Sequence, residues 1–159
     1  MARILVAYYS RTGNTAQMAE LVAAAAASVE GAEVTTRSIE ALTATDLLGY
    51  DGIILGSPVY YGLPAAELKK LIDETVQFHG QLAGKVGGAV ASSGGLAGGN
   101  ETTVLAILEM LLVHGMIVQG EASGDHYGPV AVGAPDARSA EECAKLGRNV
   151  AALTVRLFG

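Results

Sequence analysis

Residues 4–15 read Ile4-Leu5-Val6-Ala7-Tyr8-Tyr9-Ser10-Arg11-Thr12-Gly13-Asn14-Thr15, and this stretch decides the fold. Six apolar residues in a row suit a β-strand covered on both faces, the signature of a parallel sheet. A turn rich in hydroxyls follows, with Gly13 to tighten it. From Thr15 to Val29 the period changes to that of a helix, with Met18, Leu21, Val22, Ala25 and Val29 on one stripe. Strand, polar turn and helix in that order form half of a crossover unit. The next strand must then lie parallel to the first.

The same alternation continues along the chain. Val34-Thr35-Thr36 with Ile39 reads as a shorter and more polar strand near a sheet edge. Thr45 to Leu48 makes one helical turn. Gly52-Ile53-Ile54-Leu55-Gly56 is a buried strand. Pro64 stands where a helix would begin, with Leu68, Leu71, Ile72 and Val76 on its inner face. Val86 to Ala91 is a third buried strand, and Asn100 caps a helix through Leu112. Met116-Ile117-Val118 is the last central strand, and Tyr127 to Val132 adds an edge piece. Ser139 and Glu142 form a capping box for the closing helix, in which Cys143, Leu146, Val150, Leu153 and Leu157 recur at helical spacing. The expectation is a single α/β domain over residues 1–159, with a five-stranded, doubly wound parallel sheet.

Composition narrows the function classes. The chain has 159 residues and a net charge of −6, with no run of Lys or Arg, so no nucleic-acid partner is expected. No apolar stretch approaches the ~20 residues of a membrane span, and no secretion signal is read at the start. Cys143 is the only cysteine. That excludes an internal disulfide and a thiolate zinc site, and it suits a reducing, cytoplasmic setting. The three histidines are scattered, with no metal-ligand spacing. Glycine accounts for 21 residues, roughly twice the usual share, and the excess is clustered.

Ligands of open α/β sheets bind beyond the carboxyl ends of the strands, so three loops matter. Ser10, Arg11, Thr12, Gly13, Asn14 and Thr15 crowd hydroxyls and an amide at a helix N-terminus, which suits a phosphate group without a lysine. No P-loop or dinucleotide-binding motif occurs. Pro58, Val59, Tyr60, Tyr61 and Gly62 follow the second buried strand. Adjacent residues cannot both enter one core, so at least one tyrosine is expected to face the cleft, where a planar ligand could stack on it. Ser92, Ser93, Gly94, Gly95, Leu96, Ala97 and Gly98 follow the third and offer backbone groups to a flat ring. A single phosphate cradle beside an aromatic platform points to a mononucleotide with a large planar base. FMN fits better than a dinucleotide.

The turn Tyr9-Ser10-Arg11-Thr12-Gly13-Asn14-Thr15 resembles the FMN-phosphate loop of the flavodoxin-like superfamily. Gly56-Ser57-Pro58-Val59-Tyr60-Tyr61-Gly62, Ser92-Ser93-Gly94-Gly95, Gly98-Gly99-Asn100-Glu101-Thr102-Thr103 and His114-Gly115-Met116 resemble its Trp-repressor-binding-protein-like (WrbA-type) NAD(P)H:quinone oxidoreductase branch. The resemblance implies strand order 2-1-3-4-5 with helices on both faces. It implies FMN as cofactor, NAD(P)H as reductant, a quinone as acceptor and a homo-oligomer, dimer or tetramer. It places His114 at the flavin and its substrate, as a hydrogen-bond or proton donor to the quinone; a plain helix-terminal histidine is the competing reading. It places His79 near the substrate pocket. His126, beside Asp125, is a further candidate for its rim. Tyr60-Tyr61 stands where the branch usually has Arg-Phe, tryptophan is absent, and the branch's usual insertion between the second and third strands is missing. The alternative within the fold is a flavodoxin-type electron carrier without substrate chemistry of its own. Such a carrier needs an acidic docking face, whereas residues 57–62 and 92–99 contain no Asp or Glu.

Overall fold

A computed structural model describes residues 1–159. Its strands are β1 (Ala2–Tyr8), β2 (Ala32–Ser38), β3 (Gly52–Tyr60), β4 (Leu63–Pro64), β5 (Val86–Ser93), β6 (Ile117–Val118) and β7 (Val130–Val132). Its helices are α1 (Asn14–Ala27), α2 (Ala66–Asp73), α3 (Asn100–Val113) and α4 (Ala137–Phe158). The sheet runs β2-β1-β3-β5-β6, all parallel. This is the expected order 2-1-3-4-5 once the small arm β4 is set aside. The edge assignment of residues 34–36 holds, since β2 is the outer strand and no residue of it is fully buried.

The strands alternate their apolar side chains between two cores. Val6, Ile54 and Val90 pack under α1 and α4 with Met18, Val22, Cys143 and Val150. Leu5, Ile53, Leu55 and Ala89 pack on the other face with Leu68, Ile107 and Leu111. The two cores explain why β1, β3 and β5 are continuous apolar runs. Gly147 sets the distance between α1 and α4. A Cβ there would stand 2.2 Å from the carbonyl oxygen of Val22.

Four details differ from the sequence reading. The chain after Gly56 is not a loop but the continuation of β3 to Tyr60. It then turns through Tyr61 and Gly62, both at positive φ (49° and 80°), into β4. Two successive left-handed residues are what a tight two-residue hairpin demands. Pro64 therefore closes this hairpin, and α2 starts two residues later. The last sheet position is shared: β6 pairs with Val86 and Gly87, and β7 pairs with Ala91, Ser92 and Ser93. That division and the arm β4 together give seven strands in place of five. The capping box of α4 lies three residues early, with Asp136 accepting from the Ser139 amide and the Ser139 side chain answering it.

Candidate functional site

The connections from β1 and β3 leave in opposite directions across the sheet, which opens a crevice at their carboxyl ends. A cavity of about 300 Å³ lies there. Ser10, Arg11, Thr12, Asn14 and Thr15 form one wall, Pro58, Val59 and Tyr60 a second, and Ser92, Ser93 and Gly94 a third. The three loops singled out in the sequence thus meet around one space. Gly133, just beyond β7, completes it. Sequence reading missed this residue; its one signal is a glycine directly after an edge strand. Its N–H donates to the Ser93 carbonyl at 2.8 Å.

The first wall is rich in donors. Gly13, at φ 100°, precedes α1 and provides no side-chain cap. Within the chain no group accepts from the amides of Asn14, Thr15 and Ala16; the first bond into the turn is from Gln17 to the Gly13 carbonyl. Those free amides and the positive end of the helix favour an anion. Ser10 Oγ accepts from the Gly13 amide at 3.1 Å, so its proton is free to point into the cleft. Nothing in the chain lies within 4 Å of where a Gly13 Cβ would be, which leaves the approach open. The donor set fits a phosphate.

The second wall is aromatic. The Tyr60 ring stands edge-on to Tyr9, with centroids 6.4 Å apart, and the Arg11 guanidinium lies over its face at 5.1 Å, a cation–π contact. Tyr61 points away from the cleft and is fully exposed at the hairpin tip. Of the two tyrosines named as cofactor contacts, Tyr60 lines the cavity, whereas Tyr61 stands in solvent and is not on the cavity wall. In the third loop Gly95, Leu96, Ala97 and Gly98 lie beyond the cavity wall. Leu96 is 89% exposed, Ala97 takes a left-handed φ of 52°, and Gly98 donates back to the Gly95 carbonyl in a tight turn. Gly62 and Gly99 meet where the two loops touch; a Gly99 Cβ would stand 3.1 Å from the Gly62 Cα.

The histidines require a correction. His114 is not in the cleft of its own chain. Helix α3 leaves the carboxyl edge and runs back for 14 residues, about 21 Å, so His114 lies at the amino edge of the sheet. His79 is there too, with ring centroids 5.9 Å apart, beside a separate cavity of about 290 Å³. The Thr75 hydroxyl donates to the Ile72 carbonyl at 2.6 Å, so its oxygen accepts from His114 Nε2–H at 2.9 Å. His114 Nδ1 is then the unprotonated nitrogen; it is buried and has no partner. Burial, with the neighbouring His79, holds His114 below the ordinary imidazole range. His126 does not line the cleft either. It sits exposed in the β6–β7 connection, its Nδ1 at 2.7 Å from the Glu121 carbonyl, beside a cavity of only about 20 Å³. No group of side chains in the structure has the makings of a metal site.

Comparison with known proteins agrees with this geometry. The family described as NADPH-dependent FMN reductase matches residues 39–128, more than half of the chain. A protein of Aquifex aeolicus named flavodoxin is 40% identical over 159 residues, covering 95% of this chain and 86% of that protein. A protein of Archaeoglobus fulgidus named NAD(P)H dehydrogenase (quinone) is 32% identical over 191 residues, covering 99% of this chain and all of that protein. The crystal structure of a flavodoxin, WrbA-like protein from Agrobacterium tumefaciens superposes with a TM-score of 0.83 at 26% identity, over 98% of this chain and 99% of that one.

Proposed function

This chain belongs to the NADPH-dependent FMN reductase family, in the WrbA-like branch of the flavodoxin-like fold, and from that premise we propose that it passes electrons from NAD(P)H to quinones. It is an oxidoreductase with FMN as its cofactor. The observation that carries the reading is the convergence of free helix-terminal amides, hydroxyls and one aromatic wall on a single cleft.

Each wall has a task in this reading. The amides of Asn14, Thr15 and Ala16, with the hydroxyls of Ser10, Thr12 and Thr15, hold the phosphate. Gly13 lets it approach. Pro58, Val59, Tyr60 and Gly62 flank the ring, and the backbone of Ser93, Gly94 and Gly95 runs along its edge. Leu96, Ala97 and Gly98 cover it from outside, and Tyr61 forms the outer lip. When bound, FMN supplies the hydride and electron chemistry. The chain's part is to hold, orient and shield. Arg11 and Tyr60 are the titratable groups on the cavity wall, so no carboxylate or imidazole acid acts from within it. Exposed Tyr61, Leu63 and Leu96 give the mouth an apolar rim, which suits a flat, weakly polar acceptor. Reductant and acceptor would use the same face in turn.

The name of the Aquifex aeolicus relative favours a second reading, an electron carrier that docks on other proteins. The composition of the two flanking loops argues against it, because residues 57–62 and 92–99 contain no carboxylate. We further infer that the chain works in the reducing cytoplasm, as its single buried cysteine suits, and that it assembles as a dimer or tetramer. Exposed Val76, Leu112, Val113 and Ile117 at the amino edge offer an apolar face for that contact, and sedimentation checks it. The deciding experiment for function mixes the FMN-loaded protein with NADPH or NADH and a benzoquinone under argon. Reduction of the flavin followed by multiple turnovers of quinone supports the enzyme. Flavin that neither nicotinamide reduces refutes it in favour of the carrier.

A further inference from the structure

One buried pair ties the phosphate wall of the cleft to the strand opposite. Thr15 is 1% exposed and Ser92 5% exposed, and their hydroxyl oxygens lie 2.8 Å apart. Thr15 belongs to the first turn of α1, and Ser92 is the penultimate residue of β5. The Thr15 rotamer is set by packing. Its methyl lies over the bare Cα of Gly56, where a Cβ would come within 3.2 Å of it. This seating turns Oγ1 toward Ser92.

The direction of that bond follows from what else each hydroxyl touches. Ser57 donates to the Pro58 carbonyl at 2.8 Å, and Ser93 donates to the Gly95 carbonyl at 2.9 Å. Ser92 has no such carbonyl; Thr15 is its sole partner in the chain. Each hydroxyl carries one proton and two lone pairs. If Ser92 donates to Thr15, the Thr15 proton is free for the cleft. Ser10 shows the same arrangement, because the Gly13 amide fills its lone pair from behind. A phosphate dianion only accepts, so the wall that receives it needs protons pointing outward. A hydroxyl that is itself hydrogen-bonded from behind is also a stronger donor.

We propose that Ser92 is a positioning residue: it donates to Thr15 and thereby turns the Thr15 proton onto the cofactor phosphate. The proposal rests on the reading of residues 10–15 as the phosphate cradle. It assigns Ser92 to the phosphate end of the cofactor, although β5 otherwise runs beside the ring.

The test compares FMN with riboflavin, which lacks the phosphate, by quenching of flavin fluorescence on the apoprotein. S92A is expected to weaken FMN binding about tenfold, the scale of one hydrogen bond to a charged group, and to leave riboflavin within about twofold. S92C, which keeps the bulk but donates weakly, should behave like S92A. T15V should match S92A or exceed it, and adding S92A to T15V should then cost less than about twofold, as two members of one relay require. Equal weakening of both flavins by S92A and S92C, or additive losses in the double variant, overturns the relay. A wild-type chain that binds riboflavin as tightly as FMN overturns the cradle reading as well.

Discussion

Replacing Thr12 with glutamate places a carboxylate in the mouth of the phosphate cradle. Thr12 is exposed and lies directly before Gly13, two residues ahead of the first residue of α1. No hydrogen bond ties its side chain to the rest of the protein, so T12E should cost the fold little. Taking a separation of about 5 Å between that carboxylate and a phosphate seated on the α1 amides, and an effective dielectric of about 20, each pair of unit charges repels by about 3 kcal/mol. The site is open to water and salt, which screens most of this. Allowing for the phosphate's charge of nearly −2, a net loss of about 2 kcal/mol remains, or roughly thirtyfold in Kd. T12V, which removes one donor without adding charge, should lose about tenfold at most. Fluorescence titration at two ionic strengths reads both. The T12E deficit should shrink at high salt while the T12V deficit stays, and riboflavin affinity should remain within about twofold for both. An FMN affinity for T12E within threefold of wild type would refute the placement of the phosphate.

Other consequences follow from the packing and from the histidines. Burial, with His79 nearby, lowers the pKa of His114 in the folded chain, so the unfolded chain takes up this proton first, near pH ~6.5; stability is therefore full above that value and falls as the pH drops below it, by at most about 1.4 kcal/mol per pH unit. Urea titrations of wild type and H114Q between pH 5 and 7.5 check this, and equal slopes would contradict it. G147A should destabilise by about 2 kcal/mol or more, although alanine is the better helix former by roughly 1 kcal/mol, because the added Cβ meets the Val22 carbonyl; a variant that melts at or above the wild-type temperature would disprove the contact. Cys143 is buried and its thiol is pushed up to about 12 by desolvation, so at neutral pH it should react with a disulfide reagent only as fast as the protein unfolds.

How much of this was legible in the sequence depends on the range of the interaction concerned. The strand, turn and helix over residues 4–15 were readable because local pattern alone specifies them, and the sheet order followed from repeated crossovers. The extension of β3 was not readable. Ser57 and Pro58 look like loop residues, yet they lie inside the sheet because the hairpin tip at Tyr61 and Gly62 folds β4 back onto them. The capping box was misplaced because Asp136 and Ser139 meet the spacing as well as Ser139 and Glu142 do, and Glu142 is engaged instead by Lys145 and the Asp125 amide. The His114 error has a topological cause. A residue at the end of a helix that starts at one sheet edge lies at the other edge, and a motif match does not count helical turns. Gly133 was missed because it reaches the cleft through β7, a three-residue strand set by pairing with β5.

The central claim is that FMN is held by its phosphate at the turn after β1. Two-dimensional amide NMR of the uniformly nitrogen-labelled apoprotein, titrated with FMN and separately with riboflavin, tests it most directly. The account predicts that the amides of Gly13, Asn14, Thr15 and Ala16 shift strongly with FMN and little with riboflavin, while those of Tyr60 and Gly94 shift with both. Amides at residues 13–16 that stay unmoved as FMN saturates the protein would contradict it.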